Sequence, residues 1–170
     1  DERPIFVEDF ARDRVGDFPR RFGLVKGNVE VAEWNGARWL RGTSWPTIVT
    51  ITLPEALPER FTVEMDVVPG RANNTMEILF AENPTHRVRA RYFGDGVTAG
   101  IGTENSSLAE GNTRSIKLGE VFPLRIMVDG SYAKVYAGDT RVANAPNAQL
   151  GRSNVITIEF PGTEETPGFV

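Results

Sequence analysis

Three arginines alternate with apolar residues in one short stretch of the chain. Arg87, Arg89 and Arg91 occupy every second position, so on a β-strand their guanidinium groups share one side. Guanidinium groups bind carboxylates and sulfates through paired hydrogen bonds, which predicts a site for an acidic glycan. The simpler interpretation, which the sequence alone favours, is a solvated face on which these arginines pair with Glu77 or with other acids of neighbouring strands.

Large amphipathic rings are the second group of candidate ligand contacts, because flat, exposed rings stack against sugars. They are Trp34, Trp39, Trp45, Tyr92, Tyr132 and Tyr136. Trp34 and Trp39 flank one predicted hairpin turn, so we expect them to lie near each other across it. The simpler role of these rings is packing in the core or at a sheet edge, where most tryptophans lie.

Aspartates in glycine turns are a third candidate group. Asp95 precedes Gly96 and Asp129 precedes Gly130, and loop carboxylates of this kind are potential oxygen ligands of Ca²⁺. Turn chemistry already explains both aspartates, and no EF-hand spacing supports a Ca²⁺ site. Asp95 stays a candidate ligand contact, and the sequence predicts no cofactor.

The chain has no cysteine and only one histidine, His86. These counts exclude thiolate and histidine-rich metal sites, so no metal ligands are predicted. A Ser-His-Asp triad would need His86, but the sequence has no Gly-x-Ser-x-Gly elbow to position a serine nucleophile. The sequence therefore predicts no catalytic triad.

The clearest structural signal is a pair of tight turns that join three alternating runs. Leu124–Val128 and Ala133–Ala137 flank Asp129-Gly130, a residue pair that favours a type I′ hairpin turn. Gly138-Asp139 then leads into a third run, Thr140–Ala143. The alternation predicts a meander with one dry face, which leaves the tyrosines of the middle run on the opposite face.

A second hairpin strengthens this assignment. Val29–Trp34 and Ala37–Arg41 alternate on either side of Asn35-Gly36. No window has a persuasive helical period, and about a dozen short strands separated by turn residues indicate an all-β fold. We predict a two-sheet antiparallel β-sandwich with jelly-roll, concanavalin A-like topology.

The remaining strand assignments concern the chain ends and one central region. We expect a first strand over residues 4–10 and a last clear strand over Asn154–Phe160. Between them, residues 102–112 are expected to form a long polar loop, followed by a strand over residues 113–118.

The length and composition fit one soluble globular domain. At 170 residues the chain is long enough to bury a core without disulfides. We assign residues 1–160 to a single β-sandwich domain and residues 161–170 to a Pro/Gly-rich tail or the start of a missing closing strand. The net charge of −4 gives no reason to expect nucleic acid as a partner. No apolar run is long enough to predict a membrane-spanning segment.

Four stretches, taken in their order, resemble one known family. They are Phe6–Phe10 with Val15–Pro19, Gly27–Glu33, Leu57–Asp66, and Leu124–Val142. They are similar to concanavalin A-like/laminin G-like jelly-roll domains, as found ahead of OmpA-like domains in bacterial envelope proteins. The resemblance implies a module that is secreted, exposed at the cell surface, or associated with the periplasm or outer membrane. It also implies a glycan or another envelope component as the partner.

The same superfamily includes glycosidases with paired carboxylates in the pattern Glu-x-Asp-x-x-Glu. Glu64 and Asp66 match the first two positions, but Pro69 stands at the third and cannot protonate a leaving group. Alternation alone explains Glu64 and Asp66 as the solvent face of a half-buried strand. We therefore predict that the protein is not an enzyme, and glycoside hydrolysis through this pair is the weakest hypothesis.

Two other functions remain open at this stage. The first is a non-catalytic binding or adhesion module, with a glycan as the expected ligand. The second is a structural, self-assembling subunit joined through edge strands or tails. Related domains usually close with a strand beside the N-terminal one, whereas Phe160 is followed here by the Pro/Gly-rich tail. Because an unpaired edge invites strand addition, the second hypothesis predicts homotypic strand-edge contacts.

Overall fold

The computed structural model describes residues 3–44, 46–68, 75–92, 96–117 and 119–160. The predictions for Trp45, Asp95 and the tail over residues 161–170 fall outside these ranges. The division of the chain at residue 160 therefore stays a prediction.

Thirteen β-strands, numbered in chain order, are the regular elements of the described residues. They are β1 (Phe22–Lys26), β2 (Val29–Trp34), β3 (Ala37–Gly42), β4 (Ile48–Thr52), β5 (Arg60–Val67), β6 (Thr75–Leu79), β7 (Arg87–Tyr92), β8 (Val97–Gly102), β9 (Ser107–Thr113), β10 (Phe122–Asp129), β11 (Tyr132–Ala137), β12 (Thr140–Ala145) and β13 (Val155–Glu159).

Two larger sheets and one hairpin enclose a single core. Seven strands pair in the order β1-β4-β13-β6-β7-β8-β9, four pair in the order β12-β11-β10-β5, and β2 pairs with β3. The rings of Phe61 in β5 and Phe80 after β6 are 5.4 Å apart and connect the two larger sheets. Val31 and Leu40 add the hairpin to the same core. This is the two-sheet antiparallel β-sandwich that the sequence predicts.

Alternation decides which side chains reach the core. Leu124 and Ile126 of β10 are fully buried, as are Ile78 of β6 and Val88 of β7 in the facing sheet. Successive residues of a strand point to opposite faces, so the arginines of β7 point away from this core. The Asn154–Phe160 run forms β13, which pairs with both β4 and β6 in the middle of the seven-stranded sheet.

The turns confirm one predicted type and correct another. Asn35 and Gly36 both have positive φ, 50° and 78°, as the type I′ turn requires. Asp129 still belongs to β10, and Gly130 opens the next turn with a φ of 62°. Gly138 does the same in the following turn, with a φ of 60°. A positive φ at the first central residue alone is the type II′ pattern, so the type I′ prediction at Asp129-Gly130 is wrong.

The expected first strand over residues 4–10 is also wrong. Side chains, rather than a backbone ladder, hold this segment in place. Nη1 of Arg21 donates to the carbonyl oxygen of Val7 at 2.6 Å, and Nη1 of Arg38 donates to that of Phe10 at 3.4 Å. Phe6 and Phe10 of this segment pack against the core, whereas Ile5 and Val7 are exposed, and the segment pairs with no strand of the described residues.

In the central region, the structure differs from the predicted loop and from the strand predicted after it. The predicted polar loop over residues 102–112 contains most of β9, and residues 114–117 are not the predicted strand. β9 is the edge strand of the seven-stranded sheet, and Leu108 is one of its exposed residues. An edge strand that covers little of the core needs no regular apolar alternation, so its polar sequence resembles that of a loop.

Candidate functional site

The arginine stripe lies on the outward face of the seven-stranded sheet. Val88 and Ala90 of β7 are buried in the core, whereas Arg87, Arg89 and Arg91 are half-buried on the opposite side. The structure therefore confirms that these arginines share one face. Their partial burial distinguishes this face from a freely solvated surface.

Glu77 is the acid that joins two of these arginines. It lies directly opposite Arg89 in the β6–β7 pair. Its Oε1 atom is 3.4 Å from Nε of Arg89, and its Oε2 atom is 3.7 Å from Nη1 of Arg87. The Glu77 side chain is only 11% exposed. The simpler interpretation of the stripe, pairing with Glu77, is thus confirmed for Arg87 and Arg89.

A second carboxyl group meets Glu77 from the other side. Glu159 lies directly opposite Glu77 in the β13–β6 pair. Burial raises the pKa of Glu159 from 4.5 to about 7, and a hydrogen bond to Glu77 and repulsion from Glu77 and Glu104 act in the same direction. Arg87 acts in the opposite direction. Since Glu77 is held by two guanidinium groups, the protonated Glu159 donates to the Glu77 carboxylate.

We call Glu77, Arg87, Arg89 and Glu159 the arginine–glutamate cluster. On its β8 side, Arg87 lies opposite Gly102 and Arg89 opposite Gly100. These two glycines have no side chain, and a Cβ at either one would collide with backbone carbonyls next to or within β9. Nη1 of Arg89 donates to the carbonyl oxygen of Thr103 at 3.4 Å. The arginines therefore lie beside backbone rather than beside bulky side chains.

Two further predicted contacts, Arg91 and Tyr92, have different outcomes. Arg91 lies on the same outward face, opposite Thr75 in β6 and Thr98 in β8. Tyr92 is only 3% exposed and belongs to the core, and its role as a ligand contact stays a prediction. Tyr92 follows Arg91 directly in β7. Because successive side chains of a strand point to opposite faces, the Tyr92 ring lies inside the sandwich.

The two described tryptophans lie elsewhere, on the β2–β3 hairpin. The rings of Trp34 and Trp39 meet edge to face with their centroids 5.7 Å apart, as the hairpin predicts. Nε1 of Trp39 donates to the carbonyl oxygen of Trp34 at 3.0 Å, and Trp39 is buried. Packing at the hairpin thus accounts for the buried position of Trp39, and its role as a ligand contact stays a prediction. The structure does not join these rings to the arginine–glutamate cluster, because the hairpin is a separate sheet.

The carboxylates considered for hydrolysis lie on the outward face of the four-stranded sheet. Glu64 and Asp66 alternate with the inward residues of β5 and are both exposed. Oε1 of Glu64 is 4.0 Å from Nη1 of Arg125, whose guanidinium carbon lies 4.7 Å from the centroid of Tyr136. The prediction that this pair forms the solvent face of a half-buried strand is confirmed.

Sequence reasoning missed Glu159. Its strand was predicted, but nothing local in the chain shows that β13 lies beside β6. The available signal was the outward position of Glu159 between Ile158 and Phe160, both of which are buried. The partner of that carboxyl group is set by strand order, which alternation does not reveal.

No group of three or more histidine, cysteine, aspartate or glutamate side chains in the described residues has the arrangement to hold a metal ion. No helix in the same part of the chain has the length and apolar character needed to span a membrane.

Comparison with known proteins places the fold but not the family. No protein-family model matches the chain, and no curated protein matches it. Among solved structures, it is similar to the carbohydrate-binding module CBM66 of Bacillus subtilis, with a TM-score of 0.60 and 16% identity over 88% of this chain and 91% of that one. The fold is a galectin-like jelly roll. It is also similar to a Bacillus subtilis protein of unknown function with a galectin-like fold, at a TM-score of 0.55 and 10% identity over 88% and 84% of the two chains.

A third similar structure is the binding domain of botulinum neurotoxin DC, solved in complex with SialylT. The TM-score is 0.56 at 12% identity. The match covers 87% of this chain and 40% of that one. At these identities the comparisons establish the shared concanavalin A-like β-sandwich, and they assign no site residue.

Proposed function

We propose that this chain is a non-catalytic carbohydrate-binding module that holds its glycan on the outward face of the seven-stranded sheet. The observation that carries the proposal is the arginine–glutamate cluster. Planar polar side chains are held there by ion pairs on the outward face of the sheet. Sites for small ligands are built from a few positioned polar groups of this kind.

Fixed geometry is the useful property of the cluster. Arg87 and Arg89 are held by Glu77 on one side, and Arg89 is also held by the carbonyl oxygen of Thr103. Long side chains that are already ordered lose less conformational entropy when a ligand binds. Sugar hydroxyl groups both donate and accept hydrogen bonds. They can therefore accept from guanidinium groups and donate to carboxylates of one rigid array.

The similar structures support a glycan as the ligand class. One of them is named as a carbohydrate-binding module. Another is a toxin binding domain solved in complex with SialylT. The sequence resemblance to domains of bacterial envelope proteins favours an extracellular or cell-surface location, and this location remains a prediction.

The geometry favours binding over hydrolysis. Retaining glycosidases separate their two carboxyl groups by about 5 Å, and inverting enzymes separate them further to admit water. Glu77 lies directly opposite Glu159 and is held in ion pairs with Arg87 and Arg89, so its carboxylate is not free to act as a nucleophile or a base. Glu64 and Asp66 are both exposed, so neither lies in an enclosed apolar pocket of the kind that holds a catalytic acid.

The test is a binding panel with two matched variants. Arg89→Lys keeps the charge but removes the planar set of donors from the cluster, and Arg125→Lys makes the same change on the four-stranded sheet. Affinity electrophoresis against dextran, dextran sulfate, pectate, methyl-esterified pectin and mucin is expected to show binding to at least one polymer. Arg89→Lys is expected to weaken that binding about tenfold or more, and Arg125→Lys to change it less than twofold. Binding to none of the polymers, or equal loss in both variants, would contradict the proposal.

A second candidate function, self-assembly through a strand edge, has one specific observation in its favour. Within the described residues, β5 pairs with β10 along one edge only. Inward-facing Val63 and Met65 of β5 are half-buried, unlike the fully buried residues of β10. Residues 36–40 and 60–66 line one groove of about 1860 Å³ together with the N-terminal segment. An edge strand with incompletely covered apolar residues is a site for strand addition.

Sedimentation velocity tests this second candidate directly. Strand addition between copies of the chain predicts a dimer or larger assembly that forms as the protein concentration rises over a hundredfold range. A single monomeric species over the whole range would reject it. Neither result affects the proposed glycan site, which lies on the other sheet.

A further inference from the structure

We propose that the glycan bound at the arginine–glutamate cluster is acidic, with a carboxylate or sulfate group held between Arg87 and Arg89. This inference rests on the proposed function and specifies its ligand class. The ligand is defined by its anionic group, and the sugar backbone that carries the group is a matter for the experiment below.

The balance of charge in the cluster favours an anionic ligand. Two guanidinium groups, of Arg87 and Arg89, converge on the single carboxylate of Glu77. Glu159 adds no full negative charge near neutral pH, because its pKa is raised to about 7. The cluster therefore has more positive than negative charge in a half-buried setting, where electrostatic interactions are screened less than at an open surface.

The hydrogen bonding of the two guanidinium groups is incomplete. Both ion-pair distances to Glu77, 3.7 Å for Arg87 and 3.4 Å for Arg89, exceed the roughly 2.8 Å of a charge-assisted hydrogen bond. Within the described residues, Nε of Arg87 and Nε of Arg89 are buried and have no hydrogen-bond partner. The two side chains are still 18% and 23% exposed. The two Nε atoms themselves are enclosed, so an anion can contact only the exposed remainder of each guanidinium side chain.

Among the described residues, the outward face around the cluster offers no aromatic ring on which a sugar could stack. The described outward residues of the strands around the cluster include no aromatic residue, since Tyr92 points into the core and Trp34 and Trp39 lie on the hairpin. Affinity at this site must come from polar and charged groups. A neutral sugar gains less from such a site than a sugar with a carboxylate or sulfate.

The surrounding charges set how the site responds to pH. Arg91 lies on the same strand as the two arginines, and Glu110 lies opposite Gly100 in β9. Glu104, in the turn after β8, acts on Glu159 through its charge. On the other side Glu159 faces Ile48 of β4, and Lys26 of β1 lies beyond it. Because deprotonation of Glu159 adds a negative charge next to Glu77, affinity for an anionic glycan is expected to fall as the pH rises through 7.

The experiment compares anionic polymers with neutral partners of the same backbone. Pectate and fully methyl-esterified pectin test a carboxylate, and dextran sulfate and dextran test a sulfate. Binding is measured by titration calorimetry at pH 5.5 and pH 8.5, at constant ionic strength. At pH 5.5 the wild-type chain is expected to bind the anionic member of at least one pair tenfold or more tightly than the neutral member. At pH 8.5 this ratio of affinities is expected to be several-fold smaller.

Glu159→Gln provides the matched variant, because an amide keeps the shape and the hydrogen-bond donor of the protonated acid. It is expected to retain its preference for the anionic polymer at pH 8.5. Equal affinity for both members of each pair would overturn this inference and leave the proposed function intact. Binding to neither member of any pair, nor to mucin, would overturn both. A wild-type preference that is independent of pH would overturn the role of Glu159, and thermal melting shows whether the variant is folded.

Discussion

The two outward faces of the sandwich follow the same alternation but hold their charges differently. On the seven-stranded sheet, the Glu77 side chain is 11% exposed and contacts two arginines. On the four-stranded sheet, the Glu64 side chain is 66% exposed and reaches Arg125 only at 4.0 Å. Both glutamates lie at an outward position of a strand with an arginine directly opposite. Glu64 and Glu77 therefore have the same sequence pattern but differ in burial.

The difference in burial indicates which of the two faces is expected to bind a ligand. An exposed ion pair of long side chains contributes little, because water screens it and ordering the side chains costs entropy. A half-buried network keeps its geometry without a ligand and offers that geometry for binding. We therefore place the site on the seven-stranded sheet, although Tyr132 and Tyr136 make the other face richer in rings.

The largest expected contrast between the faces is in stability. Glu77→Gln leaves Arg87 and Arg89 half-buried without their carboxylate, and we expect it to lower the free energy of unfolding by about 2 kcal/mol. Glu64→Gln is the matched control on the other face, with an expected change of about 0.5 kcal/mol or less. Urea unfolding followed by tryptophan fluorescence measures both. Equal effects in the two variants would show that burial does not distinguish the faces.

A smaller contrast is expected in the pH dependence of stability. The pKa of Glu159 is about 7 in the folded chain and near 4.5 in the unfolded chain, so between these values the folded state binds more protons. This group therefore makes the protein less stable as the pH rises from about 4.5 to about 7. Glu159→Gln removes that loss. Because the carboxyl group is half-buried, we expect the variant to be more stable at pH 8 by about 1 kcal/mol, or a few degrees in Tm.

The comparison at pH 4 serves as the control for this prediction. Glu159 is protonated there in both the folded and the unfolded chain, so the variant and the wild type are expected to melt within about a degree of each other. A stability difference that is the same at pH 4 and pH 8 would contradict the assignment of the proton to Glu159.

Much of the fold could be predicted from local sequence. The runs around Asn35-Gly36 and between Leu124 and Ala143 form the predicted hairpins, because alternation and turn glycines act over a few residues. β9 could not be predicted in this way. Its pairing with β8 makes it a strand, although its own residues are mostly polar.

Only part of the candidate site could be predicted, because local sequence does not show which strands lie side by side. The shared side of Arg87 and Arg89 follows from the spacing within one strand. The contact of Glu77 with Glu159 joins residues far apart in the chain and depends on β13 lying beside β6. The degree of burial is likewise a property of the assembled sheet, and it turns an ordinary charged strand into a fixed cluster.

The most direct test of the account is to map the binding surface by nuclear magnetic resonance. The isotope-labelled chain is titrated with the polymer fragment that binds most tightly in the panel, and changes in amide and side-chain signals are followed. We predict the largest changes at Glu77, Arg87, Arg89 and Glu159, with little change at Tyr132 or Tyr136. Changes centred on those tyrosines or on the Trp34 and Trp39 indole signals would contradict the account.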